Sequence, residues 1–178
     1  IQDSFTAQVL RKLKHLGVSL VELRIDQFRR GITPAIVISK IQTLKKNRFS
    51  VIATIRHENE GGGTPISEAN RLALFKMILP FADAIDIELK SKICSAVVRE
   101  AKKQHKTTIV SFHGFKKTPQ PKTLSALLRN AKVLKSDIFK VAAFARKRKD
   151  VAILLDFTMR HKKNGSITIS MGRLGAES

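Results

Sequence analysis

Apolar residues follow two alternating patterns along the chain, a helical spacing and a short, nearly continuous run. Segments with the helical spacing are predicted to be helices, and they span residues 4–16, 33–46, 66–79, 92–103, 122–134 and 148–160. The apolar runs that follow them are predicted to be strands, and they span residues 18–25, 49–56, 82–89, 107–112, 137–144 and 166–171. Gly17 after the first helix and Thr33-Pro34 at the start of the second agree with these boundaries.

This alternation of helices and strands predicts βαβ units and a parallel sheet, in the α/β fold class. The sequence has no GxGxxG after the first strand and no GxxxxGK[ST], so the usual evidence for a dinucleotide-binding or P-loop fold is lacking. An open flavodoxin-like sheet and a (β/α)8 TIM barrel remain. Because the chain starts on a helix and stops after a strand, we expect a barrel without its first strand and its last strand-helix unit. Residues 1–178 would then form a single, partial barrel domain.

Charge and composition narrow the classes of partner and of site. Lys and Arg number 34 and Asp and Glu 14, which gives a formal net charge of +20. The basic residues are spread over the chain without interleaved aromatic residues, so a solvated basic surface is the favoured interpretation and a nucleic-acid partner the alternative. No apolar run is long enough to span a membrane. The single cysteine, Cys94, excludes an intramolecular disulfide and a CxxC-type zinc site, and we expect a packed cysteine in a cytoplasmic protein.

Ionisable residues recur near the carboxyl-terminal ends of five of the six predicted strands. Within each strand they occupy alternate positions, whose side chains point to the same face of the sheet. In chain order they are Glu22, Arg24, Asp26, Arg56, Asp86, Glu88, His113 and Lys140. Charges inside a parallel sheet are costly unless they are paired, and in a barrel these strand ends converge on the active-site face. We therefore expect an enzyme pocket for a polar, anionic small molecule.

These residues also have structural interpretations, which the sequence leaves open. Glu22 and Arg24 could form an ion pair between neighbouring strands, and the two carboxylates of the third strand could serve only as partners of the arginines. His113 could be a core histidine with satisfied hydrogen bonds. Lys140 is either an amine that reaches out at the strand end or a buried amine, which burial would make nucleophilic. Glu60 and the three glycines after it form either a flexible loop or a mobile lid that carries an acid into the pocket.

Taken together, the motifs resemble a known family. In chain order they are Glu22-Leu-Arg24-Ile-Asp26, Thr54-Ile-Arg56 followed by Glu60-Gly-Gly, Asp86-Ile-Glu88, Ser111-Phe-His113, Asp137-Ile-Phe-Lys140-Val-Ala and Ser170-Met-Gly-x-x-Gly-x-x-Ser178. This series, with one motif per strand over nearly the whole chain, resembles type I 3-dehydroquinate dehydratase, the Schiff-base enzyme of the shikimate pathway.

The resemblance implies a (β/α)8 barrel, a homodimer and no metal or organic cofactor. The implied reaction is the dehydration of 3-dehydroquinate to 3-dehydroshikimate, in aromatic amino acid biosynthesis. Lys140 would form the imine, His113 would transfer protons, and Glu60 would orient or tune His113. The residues implied to hold the substrate's hydroxyl and carboxylate groups are Glu22, Arg24 and Arg56. The chemistry agrees, because a protonated imine is a stronger electron sink than a ketone and an imidazole exchanges protons near neutral pH.

Three other functions stay open at this point. A different Schiff-base barrel, such as a class I aldolase, would share Lys140 but would not need the three substrate-holding residues. A metal-dependent barrel would use carboxylate oxygens as ligands, and the candidates are Asp26, Glu60, Asp86 and Glu88. A nucleic-acid-binding protein without enzymatic activity would use the charge of +20.

Overall fold

The structure is a computed structural model of the chain, and it describes residues 1–29 and 31–177. In this part the helices are α1 (Ala7–His15), α2 (Pro34–Lys46), α3 (Glu68–Ile78), α4 (Cys94–Lys103), α5 (Pro121–Val133) and α6 (Arg148–His161). The strands are β1 (Leu20–Arg24), β2 (Ser50–Thr54), β3 (Ala84–Glu88), β4 (Thr107–Gly114), β5 (Ile138–Phe144) and β6 (Ser166–Met171). The predicted helices and strands are thus confirmed, with ends that differ by a few residues. Ser178, in the last motif quoted above, lies outside the described residues.

The differences at element ends follow from local hydrogen bonds. Helix α1 begins three residues later than predicted, because the Thr6 side chain caps it and accepts a hydrogen bond from the backbone N–H of Val9 (3.3 Å). Gly17 follows α1 with a positive φ of 77°, a conformation that ends a helix at little cost for glycine. Thr33 caps α2 in the same way as Thr6 caps α1, and Pro34 is the first helical residue.

The six described strands form one sheet in the order β1-β2-β3-β4-β5-β6, and each neighbouring pair is parallel. A doubly wound sheet of the flavodoxin type reverses its strand order at a switch point, whereas consecutive order in one direction is the order of a barrel. The fold is therefore a curled half-barrel of the α/β class, a TIM-barrel-like fold that lacks some units, as predicted.

The two faces of the sheet have different surroundings. In β1 to β5, alternate residues face the helices and most of them are apolar and buried; they include Leu23, Val51, Ala53, Ile85, Ile87, Val110, Phe139 and Val141. Burying one such aliphatic or aromatic side chain contributes about 1.5–3 kcal/mol, so this layer anchors every strand that carries a candidate residue. The opposite, inner face carries the polar residues described below.

The helices form the outer layer of this half-barrel. The longest of the described helices is α6, with 14 residues. Over the residues that the structure describes, no helix is both long enough and apolar enough to cross a lipid bilayer.

The backbone of Ile1 lies along the free edge of β1. Its N–H group donates to the carbonyl of Glu22 (2.6 Å), and the N–H group of Arg24 donates to the carbonyl of Ile1 (2.9 Å). The two hydrogen bonds, one on each side of Leu23, are spaced as in a parallel strand pair. The same contact holds the backbone on either side of Leu23, and it therefore positions two of the candidate residues.

Candidate active site

The strand register gathers the candidate residues on the inner face of the sheet. Glu88 lies beside Ser111, and Ser111 lies beside Lys140, in one row across three strands. Asp86 and His113 are each two residues away from a member of this row on the same strand, and therefore share its face. Parallel pairing thus brings together side chains that are far apart in the sequence.

Lys140 is a largely buried amine with two carboxylate partners. Its Nζ donates to Asp86 Oδ2 (3.0 Å) and lies 3.6 Å from Glu22 Oε2, and its side chain is 14% exposed. The alternative of an amine that reaches out into solvent at the strand end is therefore wrong. An ammonium at such a depth is stable because the two carboxylates compensate its charge.

Asp86 is fully buried and held by three donors. Its Oδ1 accepts from Ser111 Oγ (2.6 Å) and pairs with Arg56 Nη2 (2.9 Å), while Oδ2 faces Lys140. Burial acts to raise the pKa of the Asp86 carboxyl, but the nearby charges of Arg56 and Lys140 outweigh it, and the pKa lies below its ordinary value. Asp86 is therefore an anion in the folded protein.

Arg56 is the centre of the buried network rather than an exposed cation. It is 3% exposed, and its Nη1 donates to Glu88 Oε1 (3.1 Å) and to Ser111 Oγ (2.6 Å). Burial acts to lower the pKa of the guanidinium, but Asp86 and Glu88 outweigh it and raise the pKa above its ordinary value. Its Nη2 also lies 4.0 Å from Glu22 Oε1, so Arg56 borders the Lys140 carboxylates.

Arg71 completes this network, and the sequence reasoning missed it. It is a fully buried residue of α3 that donates from Nη2 to Glu88 Oε2 (2.5 Å) and from Nη1 to Glu68 Oε2 (2.7 Å). Its Nε and Nη2 also donate to the carbonyl of Ile55 (3.0 and 2.6 Å). A signal was present, because position 71 lies on the same helical stripe as Leu74 and the other buried residues of α3. A charged residue on such a stripe indicates a buried ion pair.

Glu60 and His113 form a second cluster. Glu60 Oε2 lies 2.9 Å from His113 Nδ1 and also accepts from the backbone N–H of His113 (3.0 Å). Two contacts to one oxygen fix both the carboxylate and the imidazole. No hydrogen bond or ion pair within residues 1–29 and 31–177 joins His113 to Lys140, which lies on the adjacent strand.

The glycines after Glu60 let this loop pack tightly on the strand ends. A Cβ on Gly62 would lie 2.2 Å from the carbonyl oxygen of Arg56, and Gly61 has a φ of 85°. Close approach and a left-handed backbone both require glycine here. The glycines therefore serve to place the Glu60 carboxylate against β4.

Arg24 pairs with Asp26 rather than with Glu22. Its Nη2 and Nε donate to Asp26 Oδ2 (2.8 Å) and Oδ1 (3.1 Å), a two-pronged contact. Asp26 is fully buried and also accepts from the backbone N–H groups of Arg56 (3.0 Å) and Gly63 (3.1 Å). Asp26 thus joins β1, the end of β2 and the glycine loop. The ion pair between Glu22 and Arg24 that the sequence left open does not form.

A cavity of about 520 Å³ opens beside the second cluster, a volume in the range of small-molecule sites. It lies among the segments that follow β2 and β3 and the end of β4, and its lining includes Glu60, Glu68, Lys90 and His113. Lys140 is not among the described residues of this lining.

Two other groups of residues concern metals and thiols. Over the described part of the chain, no group of three or more His, Cys, Asp or Glu side chains is arranged to hold a metal ion. Cys94 is buried at the start of α4, and burial raises the pKa of its thiol to about 12. This confirms the interpretation of Cys94 as a packed residue.

Chemically, the arrangement offers an amine and an imidazole on one face of a sheet, each with its own carboxylate. An amine that attacks a ketone and a base that removes a neighbouring proton are the parts that imine chemistry requires.

Known proteins resemble this chain both in sequence and in fold. A model of the type I 3-dehydroquinase family matches residues 4–178. The chain is 36% identical over 163 residues to the 3-dehydroquinate dehydratase of Methanococcoides burtonii, and the match covers 89% of this chain and 68% of that protein. The crystal structure of the 3-dehydroquinate dehydratase from Aquifex aeolicus VF5 is similar with a TM-score of 0.90 and 33% identity, covering 100% of this chain and 79% of that one. A type I 3-dehydroquinate dehydratase from Clostridium difficile, solved with covalently modified comenic acid, has a TM-score of 0.90 and 27% identity, covering 99% of this chain and 74% of that one.

Proposed function

The chain belongs to the type I 3-dehydroquinase family, and we propose that Lys140, His113 and Glu60 carry the family's reaction in this protein. The function is the dehydration of 3-dehydroquinate to 3-dehydroshikimate through a lysine Schiff base, a hydro-lyase step of the shikimate pathway. One observation carries the assignment of residues: a buried amine and a carboxylate-bound imidazole occupy the same face of neighbouring strands.

Lys140 is the nucleophile of this proposal. Its Nζ, as the free amine, attacks the ketone carbon of 3-dehydroquinate, and loss of water gives a protonated imine. The positive nitrogen then withdraws electrons from the neighbouring carbon and makes its proton removable. The support is positional, because Lys140 lies on the inner face of β5, and β5 is paired with β4 on one side and with β6 on the other.

His113 is the proposed acid and base. It removes the proton next to the imine, and the resulting enamine expels the hydroxyl group, to which protonated His113 returns the proton. Hydrolysis of the imine then frees Lys140 and releases 3-dehydroshikimate. Glu60 is the proposed positioning residue for His113, since its carboxylate contacts both the ring Nδ1 and the backbone N–H of that residue.

Glu22, Arg24 and Arg56 are the proposed contacts of the substrate's hydroxyl and carboxylate groups. The side chains of Glu22 and Arg24 are partly exposed, which leaves them able to reach a bound molecule. Arg56 is almost wholly enclosed, so we expect it to contact the substrate less than Glu22 and Arg24 do. Its main contribution to substrate binding is expected to come through Glu22, whose Oε1 lies 4.0 Å from Arg56 Nη2. The alternatives of an aldolase-type barrel and of a protein without enzymatic activity have no comparable support.

A homodimer in the cytoplasm, with residues 1–178 as one partial barrel domain, completes the proposal. Large apolar side chains on the outer surfaces of α5 and α6 support self-association; they are Val133, Leu155 and Met159. A continuous layer of buried apolar residues between sheet and helices supports a single domain. Light scattering of the purified protein, at several concentrations, tests the dimer.

Borohydride trapping tests the assignment of Lys140. We expect the protein incubated with 3-dehydroquinate and reduced to gain the mass of one ligand less one oxygen atom, since imine formation expels water and reduction adds two hydrogens, with the adduct on the peptide that contains Lys140. Lys140→Ala is expected to remain folded and to lose both the adduct and turnover. Lys76→Ala, at an exposed position of α3, is the matched control and is expected to retain both. Turnover of Lys140→Ala near the parent rate would refute the imine mechanism at this residue.

A further inference from the structure

We propose that Asp86 is a further catalytic residue of this reaction, the counter-ion that keeps the imine nitrogen of Lys140 protonated. This inference rests on the proposed function of Lys140, because the reacting atom is its Nζ. Asp86 is the carboxylate nearest to that atom among the described residues, at 3.0 Å from Oδ2.

The Asp86 carboxylate is fixed in the orientation that this role requires. Its other oxygen, Oδ1, is held by Ser111 Oγ at 2.6 Å and by Arg56 Nη2 at 2.9 Å. These donors come from β4 and from the end of β2, while Asp86 itself is on β3 and Lys140 on β5. Since Asp86 has no exposed surface, water cannot screen its charge or replace it as a partner.

The atom balance of imine formation explains why an anion is useful here. Lys140 Nζ begins as an ammonium with three protons and ends as an iminium with one; the other two leave with the ketone oxygen as water. The nitrogen therefore carries one positive charge in the ammonium form and again after water leaves, and it is neutral in the free amine that attacks and in the carbinolamine. A fixed carboxylate stabilises both charged states of the nitrogen.

The later steps also depend on this charge. An imine that loses its proton is a poor electron sink, and a carboxylate at hydrogen-bond distance keeps the proton on nitrogen. When the enamine expels the hydroxyl group, the nitrogen becomes positive again, and the same carboxylate favours that step. Arg56 Nη2 pairs with Asp86 Oδ1 and neutralises part of the Asp86 charge. The neutral amine and the enamine are therefore disfavoured less than they would be beside a carboxylate that has no such partner.

Glu22 is the competing candidate for this role, and its geometry is weaker. Its Oε2 lies 3.6 Å from Lys140 Nζ, its Oε1 accepts from Thr54 Oγ1 (2.8 Å), and its side chain is 32% exposed. Solvent screens a charge in that position, so we expect Glu22 to affect the iminium less than Asp86 does.

The test follows the protonated imine directly. Cyanoborohydride reduces the iminium in preference to the neutral imine or the ketone, so the yield of reduced adduct on Lys140 reports the protonated fraction as the pH is raised. We expect Asp86→Asn to move the pH of half-maximal yield down by about 1–3 units. Glu22→Gln is expected to move it less. Asp150→Asn removes another buried carboxylate, at the start of α6, and is expected to leave it unchanged.

The outcomes separate this inference from the assignment of Lys140. No adduct on Lys140 in the parent protein would refute the proposed function itself. An adduct in the parent, with superimposable pH profiles for parent and Asp86→Asn, would overturn only the counter-ion. If circular dichroism shows that Asp86→Asn is unfolded, the parent profile is compared with that of the imine between a simple alkylamine and the same ketone. A half-yield pH in the protein no higher than in that reference would then overturn the proposal.

Discussion

Replacing Arg71 with methionine tests whether the buried charges behind the site depend on one another. Arg71 is a residue of α3 whose guanidinium neutralises Glu88 and satisfies the carbonyl of Ile55. In Arg71→Met, Glu88 stays buried, and only its Oε1, which faces Arg56, keeps a cationic partner. Methionine fills a similar volume, so the change removes charge and hydrogen bonds more than packing.

The expected loss follows from the burial of both partners. Removing one member of a buried ion pair costs about 3–5 kcal/mol, because the other charge is left uncompensated. For a chain of this length, 1 kcal/mol corresponds to a change in Tm of roughly 2–4 °C. We therefore expect Arg71→Met to lower Tm by about 6–20 °C. The side chains of Arg71 and Glu88 are each 1% exposed, so solvent does not reduce this figure.

Thermal unfolding followed by circular dichroism measures the effect, with urea unfolding as a second probe. Arg160→Met is the matched control, because Arg160 is also a helical arginine paired with a carboxylate, Asp156 at 2.8 Å, but is 73% exposed. That pair is expected to contribute less than about 1 kcal/mol. The double variant Arg71→Met, Glu88→Gln is expected to recover part of the loss. Equal small shifts for Arg71→Met and Arg160→Met would refute the argument that burial couples these charges.

Three further predictions concern other groups. Glu60→Gln is expected to lower kcat roughly 10²-fold with little change in KM, because it loosens the His113 imidazole; steady-state kinetics with an unchanged kcat would contradict this. Burial acts to raise the pKa of Asp137, but hydrogen bonds from Lys102 and from β4 lower it, so Asp137→Asn should be less stable than the parent near neutral pH. That difference should vanish as the pH falls below about 4 and through the folded pKa, as Tm measured against pH would report. Cys94 should resist thiol reagents at pH 8 until the protein is denatured, because burial raises its pKa to about 12; fast labelling of the folded protein would disprove it.

Predictions from local patterns agreed with the structure. The spacing of apolar residues indicates whether a segment is a helix or a strand, and the alternation of helices and strands indicates the fold class. Both signals can be read within short segments of the sequence. Helix ends were displaced where a side-chain cap decided them, as Thr6 did for α1. The parity of polar residues in the strands also predicted correctly that Asp86, Glu88, Ser111, His113 and Lys140 would share a face.

The positions of polar residues along the strands could not predict which of the charged side chains on that face pair with one another. Arg24 was considered with Glu22, but its hydrogen bonds go to Asp26, two residues along the same chain segment. Arg71 lies within the predicted helix over residues 66–79, but that prediction does not say which carboxylate it neutralises; in the structure it is Glu88 of β3. In both cases several oppositely charged residues were available, and sequence separation says nothing about which pair meets.

The sequence by itself determined the elements, the parallel sheet and the set of side chains on its inner face, because each depends on periodicity within a short segment. The tertiary structure determined which carboxylate faces Lys140 and which arginine is buried, and it shows the contact between Glu60 and His113 whose partners only the family resemblance had implied. Those contacts join residues 53 to 55 positions apart, as in Glu60 with His113, Asp86 with Lys140 and Arg56 with Ser111. Their geometry depends on strand register and side-chain packing to within an ångström, and hydrogen bonds and buried charges are sensitive to displacements of that size.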